Sequence, residues 1–428
     1  MKRLNYILFI ITWLLINVIF ADDVLLNSKN CFKNINVSNL NAIDKKYLKN
    51  CPKAKGFSPL GSYHLPIGIF VGIWCPVNAI RNEGLFSHKQ FVEDLYYILK
   101  KNKLSIPLNV FIEDRCYNKI SKYLSRAQDF NIFEVDINVE NWLQDAFQVG
   151  IMQDKGLAIL DLPDEDNEEL SSYVFQSCKE ATFIKQPVKT KKLLEKNNEF
   201  FSHMNFAAEG GGNIEAFPGG LLVVGDNMDI ELKDYLRDQG NSLIEVKISF
   251  LEVGHVDEIF AVVPRAEASN CDFHIISASP KLAIEILSKE NKKTRLPGAY
   301  DKVDTLLKDK ELLNKNNEFE LIINYNLSLL KKALELRTSC KIKDQSHLKF
   351  PVLWTESGTN EILFPNSVNS LILGNLMIIP NTRFEPFNKY ISKVLKKNGI
   401  KYEFINDFVY SHLGGGVHCA TNAMRFCN

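Results

Sequence analysis

The chain has 428 residues, 46% hydrophobic and 24% charged, a composition that buries a large core and lies far from that of a disordered chain. Lys+Arg and Asp+Glu both number 51, so the formal net charge is zero and no global field is present to hold nucleic acid or an anionic membrane. Nine cysteines are too sparse for a disulfide scaffold, and with no Cys-x-x-Cys spacing the chain lacks the ligand pattern of zinc ribbons, thioredoxin-type sites and zinc deaminases.

At the start of the chain, Lys2 and Arg3 precede a mostly apolar run at 4–20, and Ala21 stands before Asp22 and Asp23, the layout of an export signal (1–21) cleaved after Ala21. Left uncleaved, the run would approach the roughly 18 to 20 residues that span a bilayer. Export implies an oxidising compartment, which suits the sequons Asn36-Val37-Ser38 and Asn326-Leu327-Ser328. An odd cysteine count leaves at least one thiol free or paired between chains. Residues 22–61, rich in Asn and Lys, read as an N-terminal extension. From there on, strand-like runs at 67–74, 108–112, 133–137, 157–162, 243–248, 258–263, 273–277, 371–379 and 402–405 alternate with helical patterns at 88–102, 117–128, 229–238, 281–289, 318–336 and 387–397. The lysine-rich stretches 179–196 and 289–310 read as solvated faces or surface insertions. The class is α/β, and 62–428 reads as one catalytic domain.

Four short segments concentrate the unusual residues: Trp142-Leu143-Gln144-Asp145, Gly210-Gly211-Gly212-Asn213-Ile214-Glu215, Gly254-His255-Val256-Asp257-Glu258 and Gly414-Gly415-Gly416-Val417-His418-Cys419. On a strand, a His two residues before an Asp puts both side chains on one face, where they can share one substrate. Three glycines before a cysteine let backbone approach a ligand and deliver a thiol into a cleft; the plainer alternative is a flexible turn before a buried or disulfide-bonded cysteine, with Cys427 as a nearby partner.

Together and in this order, the segments resemble the catalytic domain of protein-arginine deiminases, members of the guanidino-group-modifying superfamily. The strongest pieces are Val253-Gly254-His255-Val256-Asp257-Glu258, Phe364-Pro365-Asn366-Ser367-Val368-Asn369, Phe404-Ile405-Asn406-Asp407-Phe408 and Val417-His418-Cys419-Ala420-Thr421-Asn422. The last also looks like the nucleophile loop of agmatine deiminases. The fold this implies is a five-bladed pseudo-symmetric α/β propeller of the pentein type, with the site at its centre. The resemblance implies Cys419 as nucleophile, His255 as general acid/base, and Asp145 and Asp257 as the carboxylates that grip a guanidinium. It places Trp142, Gly254 and His418 at the substrate, and Gln144 and Glu215 at a calcium site.

These residue types suit the chemistry. A guanidinium stays charged in proteins, so the site must hold a planar delocalised cation and make its central carbon electrophilic, which two carboxylates can do. The implied reaction is hydrolysis of arginine to citrulline and ammonia through an amidino thioether on the cysteine. The thiolate it needs could be favoured by the substrate cation or by a protonated His255.

Departures from the family pattern are informative. The family is calcium-activated, but Ala146 and Gln148 stand where it has glutamates, and Leu162 where it has a hydroxyl, so calcium is expected to be weak or dispensable and no cofactor is required. Asp161, Asp164 and Glu165 could rebuild an ion site or form a solvated acidic loop. Leu413 and the segment Asp161-Leu162-Pro163-Asp164-Glu165-Asp166 replace arginines that read the peptide backbone, which opens the choice between peptidyl and free arginine. The leading expectation is a secreted arginine deiminase acting on an arginine-containing peptide or protein, or on free arginine. No nucleic-acid partner is expected, and no membrane once the signal is removed; the oligomeric state stays open. An agmatine or free-arginine deiminase, an amidinotransferase, and a non-catalytic secreted binding protein on the same fold are the alternatives.

Overall fold

A computed structural model describes residues 51–75, 82–124, 130–136, 139, 142–153, 156–162, 170–177, 181–185, 208–265, 272–297, 300–342, 346–355, 362–411 and 413–427. The export signal, Asn36, most of the extension, and Asp164, Glu165 and Asp166 lie outside these residues.

Five separate sheets of three or four strands form among the described residues. Each contains the same unit, an antiparallel pair of strands whose second member pairs in parallel with a third strand across a helical connection. In one unit, Ile214–Phe217 pairs antiparallel with Leu221–Gly225, the helix Ile230–Asp238 follows, and Ser242–Val246 lies parallel to Leu221–Gly225. Phe260–Pro264, Phe273–Ser279 and His347–Pro351 repeat the pattern, as do Leu371–Leu373, Leu376–Pro380 and Lys401–Ile405. Phe147–Met152, Gly156–Asp161 and Thr182–Ile184 form another, joined on its edge by Phe57–Pro59 from the end of the 22–61 stretch. The remaining unit is assembled from both ends of the chain: Thr421–Phe426 pairs antiparallel with Leu65–Ile73, which lies parallel to Leu108–Glu113. The fold is thus mixed α/β, as the alternation of patterns implies.

Several elements differ from the sequence expectation for identifiable reasons. The strand expected at 371–379 is a hairpin, because Gly374 turns with φ +64°. The helix expected from 318 starts at Lys310, where the Asp309 carboxylate accepts from the Leu312 N–H, and it runs to Thr338. Part of the stretch read as solvated, 289–310, is the helix Val303–Lys308, whose Val303 and Leu306 are buried against Leu287 and Phe387. The segment after His255 is not strand: Val256–Glu258 makes one 3-10 turn, and the strand begins at Phe260. Asn326 is fully buried within the helix Lys310–Thr338, and its amide both donates to and accepts from the Lys247 backbone, so the folded protein offers no glycan acceptor there.

Cys51 bridges Cys427, with Cα atoms 5.3 Å apart, and Cys75 bridges Cys116 at 6.0 Å. The pairing of Cys427 with Cys51 removes it as a partner for Cys419, which is the free cysteine among the described residues. No helix of the described residues is long and apolar enough to cross a membrane.

Candidate active site

The repeat places the chemistry. In each unit, the residues just before the first strand turn into a common site: Asp145 before Phe147–Met152, Gly211–Asn213 before Ile214–Phe217, His255 and Asp257 before Phe260–Pro264, Asn369 before Leu371–Leu373, and His418 and Cys419 before Thr421–Phe426. Strand ends are held by the ladders behind them, so side chains there are positioned more firmly than on free loops.

Cys419 Sγ lies 3.4 Å from Asp257 Oδ2 and accepts from Asn369 Nδ2 at 2.9 Å. His418 Nδ1 meets the same Asp257 oxygen at 2.8 Å, and its Nε2 faces Glu215 at 3.7 Å. Asp145 accepts from the Gly212 N–H at 3.0 Å and faces His255 Nδ1 at 3.7 Å. Glu258 accepts from the His255 N–H at 2.9 Å, which fixes the backbone carrying that ring. Close approach needs glycine at two places. A Cβ on Gly212 would stand 2.7 Å from His255 Nδ1, and one on Gly415 would collide with the Trp142 ring.

All four residues expected to carry the chemistry therefore converge, although they stand up to 274 positions apart in the chain; Asp145, His255, Asp257 and Cys419 are brought together from three units. His418 joins them, but its ring is engaged by Asp257 and Glu215. Trp142 is half-buried against the nucleophile loop, its ring centroid 6.0 Å from that of Tyr410. Gly254 has φ +69° and its carbonyl accepts from Asn227 Nδ2 at 3.0 Å, so what the structure gives it is a role in the turn before His255.

Burial raises the acids here. Glu215 and Glu258 are each pushed up to about 7 by desolvation, and Asp145 is raised for the same reason. Burial works against the charge on His418, but Glu215 and Asp257 outweigh it and its pKa rises. Cys419 is raised well above the ordinary thiol by burial, then by Asp257, Asp145 and Glu258. Each of these causes favours the protonated form of the Cys419 thiol. Glu209, buried beside the Asp229 N–H it accepts from, also rises to about 7. Carboxyls whose folded-state pKa exceeds the ordinary value hold more protons when folded, so the stability they contribute is present below about 4.5 and lost as pH rises through about 7. The substrate-free protein is expected to melt at a lower temperature at pH 8 than at pH 5.5; a higher melting point at pH 8 would contradict these assignments.

Beside the 414–419 loop lies a cavity of about 20 Å³ lined by Gln144, Gln148, Glu215, His418 and Arg425, room for about one water. These residues do not fit calcium, which takes six to eight oxygens and gains affinity with each carboxylate. One carboxylate, Glu215, faces the buried guanidinium of Arg425, and the other oxygen donors among these side chains are neutral amides; Gln148 Oε1 lacks a hydrogen-bond partner. Asp161 is buried and accepts from Ser171, so it is not part of an open acidic loop. Glu215, Asp257 and His418 offer ligand atoms within 4.8 Å of one another, and His418 Nδ1 is hydrogen-bonded to Asp257 Oδ2.

Asn369 carried no role in the sequence reading. Its signal was its place in the motif Phe364-Pro365-Asn366-Ser367-Val368-Asn369, two residues before a unit's first strand, as Cys419 is.

The solved C. jejuni agmatine deiminase superposes with a TM-score of 0.53 at 14% identity, covering 87% of this chain and 96% of that one. The agmatine deiminase of Enterococcus faecalis gives 0.53 at 11% identity, covering 86% and 96%. These likenesses show the fold. Human protein-arginine deiminase type-3 is 26% identical over 322 residues, which are 67% of this chain and 46% of the human protein. Human type-4 is 28% identical over 239 residues, 49% and 34% of the two chains. The chain thus spans about half or less of the length of these relatives. The protein-arginine deiminase family model matches residues 85–428, a stretch that contains every residue of the site just described, and the chain belongs to that family.

Proposed function

We propose that the protein is a secreted arginine deiminase that hydrolyses the guanidinium of peptidyl or free arginine to citrulline and ammonia. The observation that carries this reading is the convergence of one free thiol, one buried and one half-buried carboxylate and a histidine, with Asp257 3.4 Å from the sulfur and Asp145 3.7 Å from His255. Two carboxylates beside a thiol suit a planar cation whose carbon is to be attacked. The raised thiol pKa favours substrate-assisted ionisation: a guanidinium beside Asp145 and Asp257 offsets the charges that hold the proton on sulfur.

The thiol proton passes to His255 as sulfur bonds to the guanidinium carbon. His255 returns that proton to the departing nitrogen, which leaves as ammonia. Water then adds to the amidino carbon, His255 takes its proton, and the carbon–sulfur bond breaks to release the ureido product and the thiol. We also infer that the five repeated units close into a five-bladed ring around this site, since each sends one segment to it. The bridges Cys51–Cys427 and Cys75–Cys116 support an oxidising compartment.

Citrulline and ammonia production by purified protein on free arginine, agmatine and an arginine peptide tests the function. Ammonia release without an amine acceptor separates it from an amidinotransferase, and no turnover of any of the three substrates would discard it. A cavity that holds one carboxylate, Glu215, together with the Arg425 guanidinium supports a reading in which calcium is dispensable. Turnover in a chelator is expected to stay within about threefold of that in calcium; complete loss with recovery at micromolar calcium would refute this.

A further inference from the structure

We propose that Asn369 is a catalytic residue of this site: its side-chain amide donates to the nucleophilic sulfur and stabilises the thiolate, while its carbonyl oxygen pins the loop that carries that sulfur. The inference rests on the deiminase reading and assigns a further group to the same reaction.

The geometry leaves one orientation for the amide. Asn369 Oδ1 accepts from both the His418 N–H and the Cys419 N–H, each at 3.1 Å. Only the carbonyl oxygen of an asparagine side chain can accept, so the NH₂ group must face the other way, toward Cys419 Sγ at 2.9 Å. The residue is held for this task. It is 1% exposed, its own N–H donates to the Asn366 carbonyl, and its carbonyl accepts from the His418 N–H at 3.3 Å. Asn366 is anchored in turn through its amide to the Glu258 carbonyl at 2.8 Å, which links the segment to the turn after His255. Gly416 lets the loop come this close, because a Cβ there would stand 2.7 Å from Asn369 Oδ1.

The charges around the sulfur give the amide its function. Asp257, Asp145 and Glu258 all favour the protonated thiol, and the Asn369 hydrogen bond opposes them. In the thiol state the S–H can donate to Asp257 Oδ2 at 3.4 Å while sulfur accepts from Asn369. When the proton leaves, the Asp257 contact turns repulsive and the Asn369 bond becomes charge-assisted, so the amide binds the thiolate more strongly than the thiol. Two roles thus meet in one side chain, and they can be separated.

Asn369→Asp keeps an acceptor for both backbone N–H groups and removes the donor; the neutral Asn369→Ala separates loss of the donor from added charge. Alkylation of Cys419 by iodoacetamide across pH, read by mass spectrometry of its peptide, is expected to shift its midpoint up by about one unit or more in both variants. That is about tenfold slower modification at a fixed pH below the midpoint. Turnover is expected to fall about tenfold or more in kcat with KM within about threefold. A folded variant of either kind with the wild-type alkylation midpoint overturns the proposal, even if its melting point has dropped, because a structural asparagine would change stability alone. Alkylation needs no guanidino substrate. A wild-type protein whose midpoint depends on Asn369 but which makes no citrulline would therefore discard the deiminase reading and leave this assignment standing.

Discussion

Replacing Cys419 by alanine is expected to lower citrulline formation by at least about 10⁴-fold, about 5.5 kcal/mol at 1.36 kcal/mol per decade. Cys419 is the free thiol among the described residues, and it stands 3.4 Å from Asp257. Water attacking a guanidinium directly would have to do so without the covalent intermediate that divides the reaction into two easier steps. The fold is expected to survive, because the loop is held by Asn369 Oδ1 through the backbone N–H groups of His418 and Cys419, which alanine retains. A folded Cys419→Ala protein, confirmed by its melting curve, that made citrulline at near the wild-type rate would remove the assignment.

Asp257→Asn is expected to lower kcat/KM by about 10²-fold or more and to make Cys419 easier to alkylate. The two effects have opposite signs for one reason. A carboxylate about 4 Å from a guanidinium is worth roughly 4 kcal/mol at an effective dielectric near 20 before desolvation is subtracted, and an amide offers only a dipole in its place. Burial chiefly keeps the proton on the thiol, and the same negative charge, 3.4 Å from sulfur, adds to it when no substrate is bound. Removing it weakens substrate capture while easing thiolate formation toward neutral iodoacetamide. Asp145→Asn is expected to show the same fall in kcat/KM, with a smaller gain in alkylation because Asp145 ranks below Asp257 in its effect on Cys419. A kcat/KM within about threefold of wild type, under roughly 0.7 kcal/mol, would show that the residue does not grip the guanidinium.

The parts of the fold that were legible are those where one periodic signal dominates. The helix Glu385–Lys397 buries Phe387, Ile391 and Leu395 on one face at helical spacing, and the run within Leu65–Ile73 is continuously apolar because both faces are buried. The strands at the site were not legible. Phe147–Met152, Ile214–Phe217 and Thr421–Phe426 carry Gln148, Glu215 and Asn422 in buried positions, so the polar residues that line the cavity break the pattern that marks a strand.

The residues that converge at the candidate site could be singled out in the sequence because their types and local order are chemically unusual: a cysteine after glycines, a histidine two before an aspartate, an aspartate after Trp-Leu-Gln. Their partners could not. That the His418 ring lies between Asp257 and Glu215, and that Gln144 and Glu215 share a cavity wall with Arg425, is visible only in the folded chain. Cys427 reads as a partner for Cys419 until it is seen bonded to Cys51, 376 positions away. The sequence by itself determined which groups can do chemistry, because reactivity belongs to side-chain type and immediate neighbours. Only the tertiary structure decided which of them share a hydrogen bond, a charge or a cavity, because those energies depend on distances of 3 to 4 Å between segments that the chain separates by tens to hundreds of residues.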